Sequence, residues 1–77
     1  MPRITPASPR LLVKIFQRFG FKVSRQEGSH LSMTKPGIRR PLVIPMHARD
    51  VPVAIILNNL RTAGISREDY LRVLSRS

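Results

Sequence analysis

The tripeptide Gly28-Ser29-His30 is the part of this sequence with the clearest capacity for chemistry. The sequence has only two histidines, His30 and His47, and an imidazole is one of the few side chains that exchanges a proton near neutral pH. Glycine and serine before His30 predict a turn, and turn N–H groups together with a hydroxyl can hold an anionic oxygen. His30 is therefore the first candidate for a proton-transfer group.

The net charge of +10 restricts the partners that this chain can bind. The sequence has fourteen Lys and Arg residues but only four Asp and Glu residues. All of the cations except Lys14, Lys22 and Lys35 are arginine. The planar guanidinium group matches the geometry of phosphate oxygens. The cations extend from Arg3 to Arg76, so the charge is not confined to one tail. A polyanion, and nucleic acid first among them, is the expected partner.

Composition also excludes several classes of protein. The absence of cysteine excludes disulfides and thiolate metal sites and favours an intracellular, cytoplasmic protein. Four acidic residues cannot readily supply the clustered carboxylates of a two-metal nuclease, so neither a metal nor a cofactor is expected. No apolar run approaches the roughly 18 residues that span a membrane. The prolines Pro2, Pro6 and Pro9 do not suit a signal peptide.

Apolar periodicity and end signals predict three helices. The pair Ser8-Pro9 begins the first helix and Gly20 ends it. The second helix begins near Pro52 and ends at Gly64, and Ser66 caps a short third helix.

The second helix is expected to bury one apolar stripe and to turn its polar residues to water. The expected buried residues are Val53, Ile56, Leu57 and Leu60, and the expected solvent-facing residues are Asn58, Asn59, Arg61 and Thr62.

Alternation of apolar and polar residues predicts three strands, over residues 21–25, 30–34 and 42–44. The first is expected to be half-buried, and short connections favour an antiparallel meander. The predicted fold class is α+β: a three-stranded antiparallel sheet with both main helices on one face, in the order α-β-β-β-α plus a short C-terminal helix. We expect a single domain over residues 1–77, in which 1–7 form a loose leader and 8–75 are folded.

Strand alternation predicts where His30 points. Leu31 and Met33 are apolar and take the face that the helices cover, so His30, Ser32 and Thr34 share the open face. A slip of one residue would bury all three polar groups, so this register is well specified. We therefore expect His30 to be accessible to solvent. The alternative to a role in proton transfer is that His30 is an ordinary surface histidine.

A histidine on a basic surface can cleave RNA without a metal. The 2′-hydroxyl attacks the adjacent phosphate, a base takes its proton, an acid protonates the leaving 5′-oxygen, and donors stabilise the charge on phosphorus. His30 is the candidate base, acid, or each in turn. The candidate RNA- or phosphate-binding residues are those of the turn and the cations near it in sequence, which we expect to line the open face or its rim: Gly28, Ser29, Arg25, Lys35, Arg39 and Arg40.

Two further residues, His47 and Glu27, each have two interpretations. His47 is a candidate phosphate-binding residue and second proton carrier, but its place in a loop after Pro45 favours a structural role, such as capping the second helix. Glu27 either orients the His30 ring or is a solvated turn residue.

Five segments of this sequence form a recognisable set: Gly20-Phe21, Gly28-Ser29-His30, the basic hairpin 35–40, Ile44-Pro45-Met46-His47 and Ala63-Gly64-Ile65-Ser66. Together they resemble the HicA toxin family, also called the YcfA-like family, over a range from about Leu11 to about Leu74. The resemblance implies a fold like the double-stranded-RNA-binding domain and a ribonuclease that degrades mRNA. It also implies a HicB-type antitoxin as partner, and it places the catalytic histidine at His30.

Two other functions remain open at the level of sequence. One is a non-catalytic RNA-binding module of the same fold, and the other is a small basic subunit that folds against the ribosome or another scaffold. We expect no row of exposed aromatic side chains on which bases could stack. RNA binding should therefore depend on the charge of the RNA phosphates, and the affinity should fall steeply as salt is added.

Overall fold

A computed structural model describes residues 3–77, which form the predicted α+β fold. The strands pair in the order β1-β2-β3, and both pairs are antiparallel. No helix within residues 3–77 has the length and apolar character needed to cross a bilayer. The elements are α1 (Pro9–Arg18), β1 (Lys22–Glu27), β2 (His30–Thr34), β3 (Leu42–Pro45), α2 (Val53–Ala63) and α3 (Arg67–Ser75).

The ends of α1 follow from local chemistry. The Ser8 Oγ accepts a hydrogen bond from the Leu11 N–H at 3.2 Å, which satisfies one of the free donors of the first turn. After the helix, Gly20 takes a left-handed φ of 94°, and the Phe21 N–H donates to the Phe16 carbonyl at 3.1 Å. The two phenylalanine rings then pack edge to face, with centroids 6.1 Å apart. This closure directs the chain into β1.

The core lies between one face of the sheet and the three helices. Leu31 and Met33 of β2 and Leu42 and Ile44 of β3 are buried on that face. The main helix residues that cover them are Leu12, Ile15, Phe16, Ile56, Leu60 and Tyr70. No element of residues 3–77 covers the opposite face of β2, so the polar residues of that strand remain accessible.

The segment before α1 differs from the loose leader that the sequence predicts. Ile4 and Ala7 are buried, and Ala7 and Val51 exchange two backbone hydrogen bonds of 2.7 and 3.4 Å. This pairing joins residues more than forty positions apart, which local sequence patterns cannot reveal. Met1 and Pro2 of the expected leader lie outside the described residues.

Strand β1 is exposed along its whole length, and the prediction that it is half-buried is wrong. The apolar residue Phe21 lies before the strand and packs at the end of α1, and Val23 is 46% exposed. The reason is topological: α1 and α2 both pack against β3, and β1 is the strand farthest from it.

The buried face of α2 includes one polar residue, Asn59, which the sequence pattern predicts to face water. Its side-chain N–H donates to the Val43 carbonyl at 3.1 Å, and the Val43 N–H donates to its Oδ1 at 3.4 Å. Within residues 3–77, strand β3 has no strand partner on this side, and the amide group of Asn59 supplies the donor and acceptor that a fourth strand would offer. This arrangement explains why a polar side chain is buried here.

Replacing Asn59 with alanine should lower the free energy of unfolding by roughly 1–3 kcal/mol, because the Val43 N–H and carbonyl lose their partners. Asn58→Ala makes the same change one residue earlier at an exposed position and should cost less than about 0.5 kcal/mol. Urea denaturation followed by circular dichroism measures both. Equal losses in the two variants would show that these hydrogen bonds contribute nothing specific.

Candidate active site

His30 is exposed on the open face of the sheet, as the alternation in β2 predicts. Leu31 and Met33 are buried, Ser32 is half-buried, and His30 and Thr34 are exposed. His30 is the first residue of β2, so its side chain lies at one end of the sheet.

The turn before His30 is a tight hairpin of two residues. Glu27 and His30 are paired across β1 and β2, and only Gly28 and Ser29 connect them. Gly28 has a φ of 57° and Ser29 does not have a positive φ, which is the pattern of a type II′ hairpin turn. Nothing lies within 4 Å of a Cβ built on Gly28, so the backbone conformation and not the available space favours glycine.

His47 lies beside His30, and the centroids of the two imidazole rings are 6.1 Å apart at an interplanar angle of 69°. The sheet register explains the contact, because Pro45 at the end of β3 pairs with His30 at the start of β2. The Met46 N–H then donates to the Ser29 carbonyl at 2.6 Å and joins the loop of His47 to the hairpin turn. Both histidines of the chain therefore share one end of the open face.

The prediction that His47 caps the second helix is wrong. The N-cap of α2 is Pro52, which makes no side-chain capping hydrogen bond, and the His47 ring is exposed. His47 sits instead in a turn that the Ala48 N–H closes onto the Pro45 carbonyl at 3.4 Å. Antiparallel pairing is the signal that finds this contact, because it brings the residues after β3 back to the start of β2.

A β-bulge decides which residues of β1 share a face with His30. Val23 lies opposite Met33, so strict alternation would put Arg25 on that same side. The register shifts between Val23 and Arg25, and Arg25 comes to lie opposite Ser32. Paired residues share a face, so the bulge transfers the Arg25 guanidinium to the open face.

Glu27 lies opposite His30 in the register, but its carboxylate binds Arg25. The Glu27 Oε1 and the Arg25 Nη2 are 2.8 Å apart, and both side chains are largely exposed. Within residues 3–77, Glu27 makes no hydrogen bond to the His30 imidazole, so the interpretation that it orients this ring has no support from a contact. An exposed pair of this kind stabilises by less than about 1 kcal/mol, so the carboxylate of Glu27 holds the Arg25 guanidinium only weakly.

The structure does not bring Lys35, Arg39 and Arg40 to His30. Lys35 follows the far end of β2, roughly 17 Å from His30 at the rise of a strand. Its Nζ lies 5.7 Å from the centroid of the Phe21 ring, and its side chain passes close to Gly20. Lys35 thus covers the C-terminal end of α1, where a cation is favourable.

Arg39 and Arg40 form a second basic group with Arg61 of α2, which the sequence pattern predicts only to face water. The three residues line an open cleft of about 450 Å³ beside the connection between β2 and β3, at the end of the sheet away from His30. The two ion pairs found within residues 3–77 involve other residues, so these guanidinium groups have no carboxylate partner in the described chain.

A family model described as the HicA toxin of bacterial toxin-antitoxin systems matches residues 10–65, more than half of the chain. The chain belongs to the HicA toxin family. It is therefore a toxin of a toxin–antitoxin pair, with an antitoxin as its partner. The matched range includes both histidines and the whole sheet and ends at Ile65, before α3, whereas the resemblance read from the residues extends to about Leu74. No curated protein matches the chain.

Proposed function

We propose that this HicA-family toxin is an endoribonuclease that cleaves mRNA without a metal ion, with His30 as the proton-transfer group. The observation that carries the proposal is the exposed imidazole at the end of the open face. It directly follows the Gly28–Ser29 turn and shares its face with the Arg25 guanidinium.

The chemistry follows from these neighbours. The imidazole exchanges a proton with the attacking 2′-oxygen or the leaving 5′-oxygen of a phosphodiester. The Arg25 guanidinium, the Ser29 hydroxyl and the N–H groups of the turn are donors suited to the charge that grows on the phosphate oxygens. Among residues 3–77, no three His, Asp or Glu side chains gather closely enough to hold a metal ion, so the mechanism is built on these donors.

The charge distribution supports RNA as the substrate class. The net charge is +10, and the cleft of Arg39, Arg40 and Arg61 lies at the end of the sheet opposite His30. Binding through phosphates releases counterions, so we expect cleavage of RNA at limiting concentration to fall steeply with salt. We also propose that the antitoxin is of the HicB type and that the pair acts in the cytoplasm, where mRNA is available.

Purified toxin incubated with RNA in the presence of EDTA tests the proposal. We expect cleavage by the wild-type protein and arrest of growth when it is expressed without its antitoxin. Tight binding of RNA with no cleavage and no arrest would favour the second candidate, a non-catalytic RNA-binding module of the same fold. The three unpaired arginines of the far cleft are the observation that supports that alternative, because binding alone requires no histidine.

A further inference from the structure

We infer that His47 is a second catalytic residue of the ribonuclease reaction, which works with His30 so that one imidazole acts as base and the other as acid. The inference rests on the proposed function. It is carried by the 6.1 Å separation of the two rings and by the anchoring of the loop that holds His47.

The reaction requires two proton transfers at one phosphodiester. One neutral imidazole takes the proton of the 2′-hydroxyl while the bond from the 2′-oxygen to phosphorus forms. The bond from phosphorus to the 5′-oxygen breaks, and an imidazolium gives its proton to that oxygen. The products are a 2′,3′-cyclic phosphate and a free 5′-hydroxyl. No other reactant is consumed, and the two imidazoles exchange protonation states and reset through water.

The arrangement of the rings suits this division of work. The attacking and leaving oxygens lie on opposite sides of the phosphorus, so base and acid must approach from different directions. The rings of His30 and His47 are close and steeply inclined to each other, and neither is stacked or buried. Each can therefore point a nitrogen at a different oxygen of one phosphate placed beside both.

The loop of His47 is held in place by bonds at both of its ends. The Met46 N–H binds the Ser29 carbonyl at 2.6 Å, directly beside His30. At the other end of the loop, Val51 is buried and exchanges backbone hydrogen bonds with Ala7. These bonds position His47 against the hairpin turn, although its imidazole makes no hydrogen bond or ion pair within residues 3–77 and does not cap α2. Within residues 3–77, no hydrogen bond, ion pair or capping contact of the ring accounts for its position.

Substrates with different leaving groups distinguish a catalytic role from a structural one. The linkage that the wild-type protein cuts is first mapped on natural RNA. An oligonucleotide is then made in which sulfur replaces the 5′-oxygen of that linkage, because a thiolate leaves without being protonated. Removing the general acid should not slow cleavage of this substrate, whereas removing the base should.

We expect His47→Ala to lower kcat on natural RNA by about 10²–10⁴-fold, with little change in KM. Of the variants His30→Ala and His47→Ala, one should cut the sulfur-containing substrate at a rate close to that of the wild-type protein, and the other should remain slow. The products should carry a 2′,3′-cyclic phosphate. Asp50→Ala, an exposed change in the same loop, should cut both substrates as the wild-type protein does.

The possible failures are distinguishable. If His47→Ala cuts natural RNA at the wild-type rate while His30→Ala does not, the inference about His47 is wrong and the proposed function stands. If both variants are slow and sulfur rescues neither or both, the division into acid and base is wrong. If all variants cut equally, or the wild-type protein does not cut, the proposed function itself fails. Thermal melting of each variant, followed by circular dichroism, confirms that the loop changes leave the fold intact.

Discussion

His30→Ala should slow RNA cleavage by about 10²–10⁴-fold, the range that a single general acid or base contributes. The ring is exposed and makes no hydrogen bond within residues 3–77, so its removal should leave the free energy of unfolding nearly unchanged. RNA affinity should also change little, because the cations that neutralise phosphates remain. The measurement compares kcat and KM for wild-type and variant toxin on one labelled RNA with EDTA present.

Thr34→Ala is the matched control for this variant. Thr34 is exposed on the same face of the same strand, at the opposite end of β2. It should cut RNA as the wild-type protein does. Cleavage by His30→Ala at the rate of this control would remove His30 from the mechanism, and an equal loss in both variants would point to a defect of the strand.

Binding of the antitoxin should extinguish cleavage at equimolar concentration and shield both histidines from solvent. The open face is the surface that combines the proposed catalytic groups with the exposed Arg25, so an inhibitor of this toxin gains most by covering it. Val43 on the same face is 41% exposed and offers an apolar contact to the partner. Diethylpyrocarbonate modifies accessible imidazoles, and mass spectrometry then reports His30 and His47 separately.

We expect both histidines to react in the free toxin and to be protected in the complex. Lys14 on the exposed side of α1 serves as the control, because the same reagent also modifies amines and its reaction with Lys14 should be equal with and without antitoxin. Inhibition of cleavage while His30 keeps its reactivity would show that the antitoxin binds elsewhere and acts by another route.

Local sequence signals predicted much of this fold correctly. Strand β2 has the predicted boundaries because buried and exposed residues alternate in it without interruption, and one register satisfies all of them. The beginnings of α1 and α3 follow from Ser8 and Ser66, whose hydroxyls accept hydrogen bonds from their own first turns. The end of α2 follows from Gly64 with its left-handed φ of 71°. All of these interactions form between residues that are close in sequence.

Other features lay outside local signals because their causes are distant in sequence. Asn59 is buried because the edge of β3 offers it a donor and an acceptor, and helical periodicity contains no information about that edge. Ile4 and Ala7 are buried in a segment that pairs with Val51, far along the chain. The bulge in β1 moves the Arg25 side chain to the opposite face of the sheet, and the alternation of residues in that strand does not predict the bulge.

The candidate site also has one feature that the sequence predicts and others that depend on contacts between distant residues. The sequence by itself determined that His30 is exposed, because Leu31 and Met33 must be buried and successive side chains of a strand point to opposite faces. Only the tertiary structure decided which residues lie near His30. Antiparallel pairing placed His47 beside it, and the bulge brought Arg25 to the same face. The connection between β2 and β3 carries Lys35, Arg39 and Arg40 to the opposite end of the sheet. The face of the sheet to which a side chain points depends on its own strand alone. Its neighbours on adjacent strands depend on the register and the topology of the whole sheet.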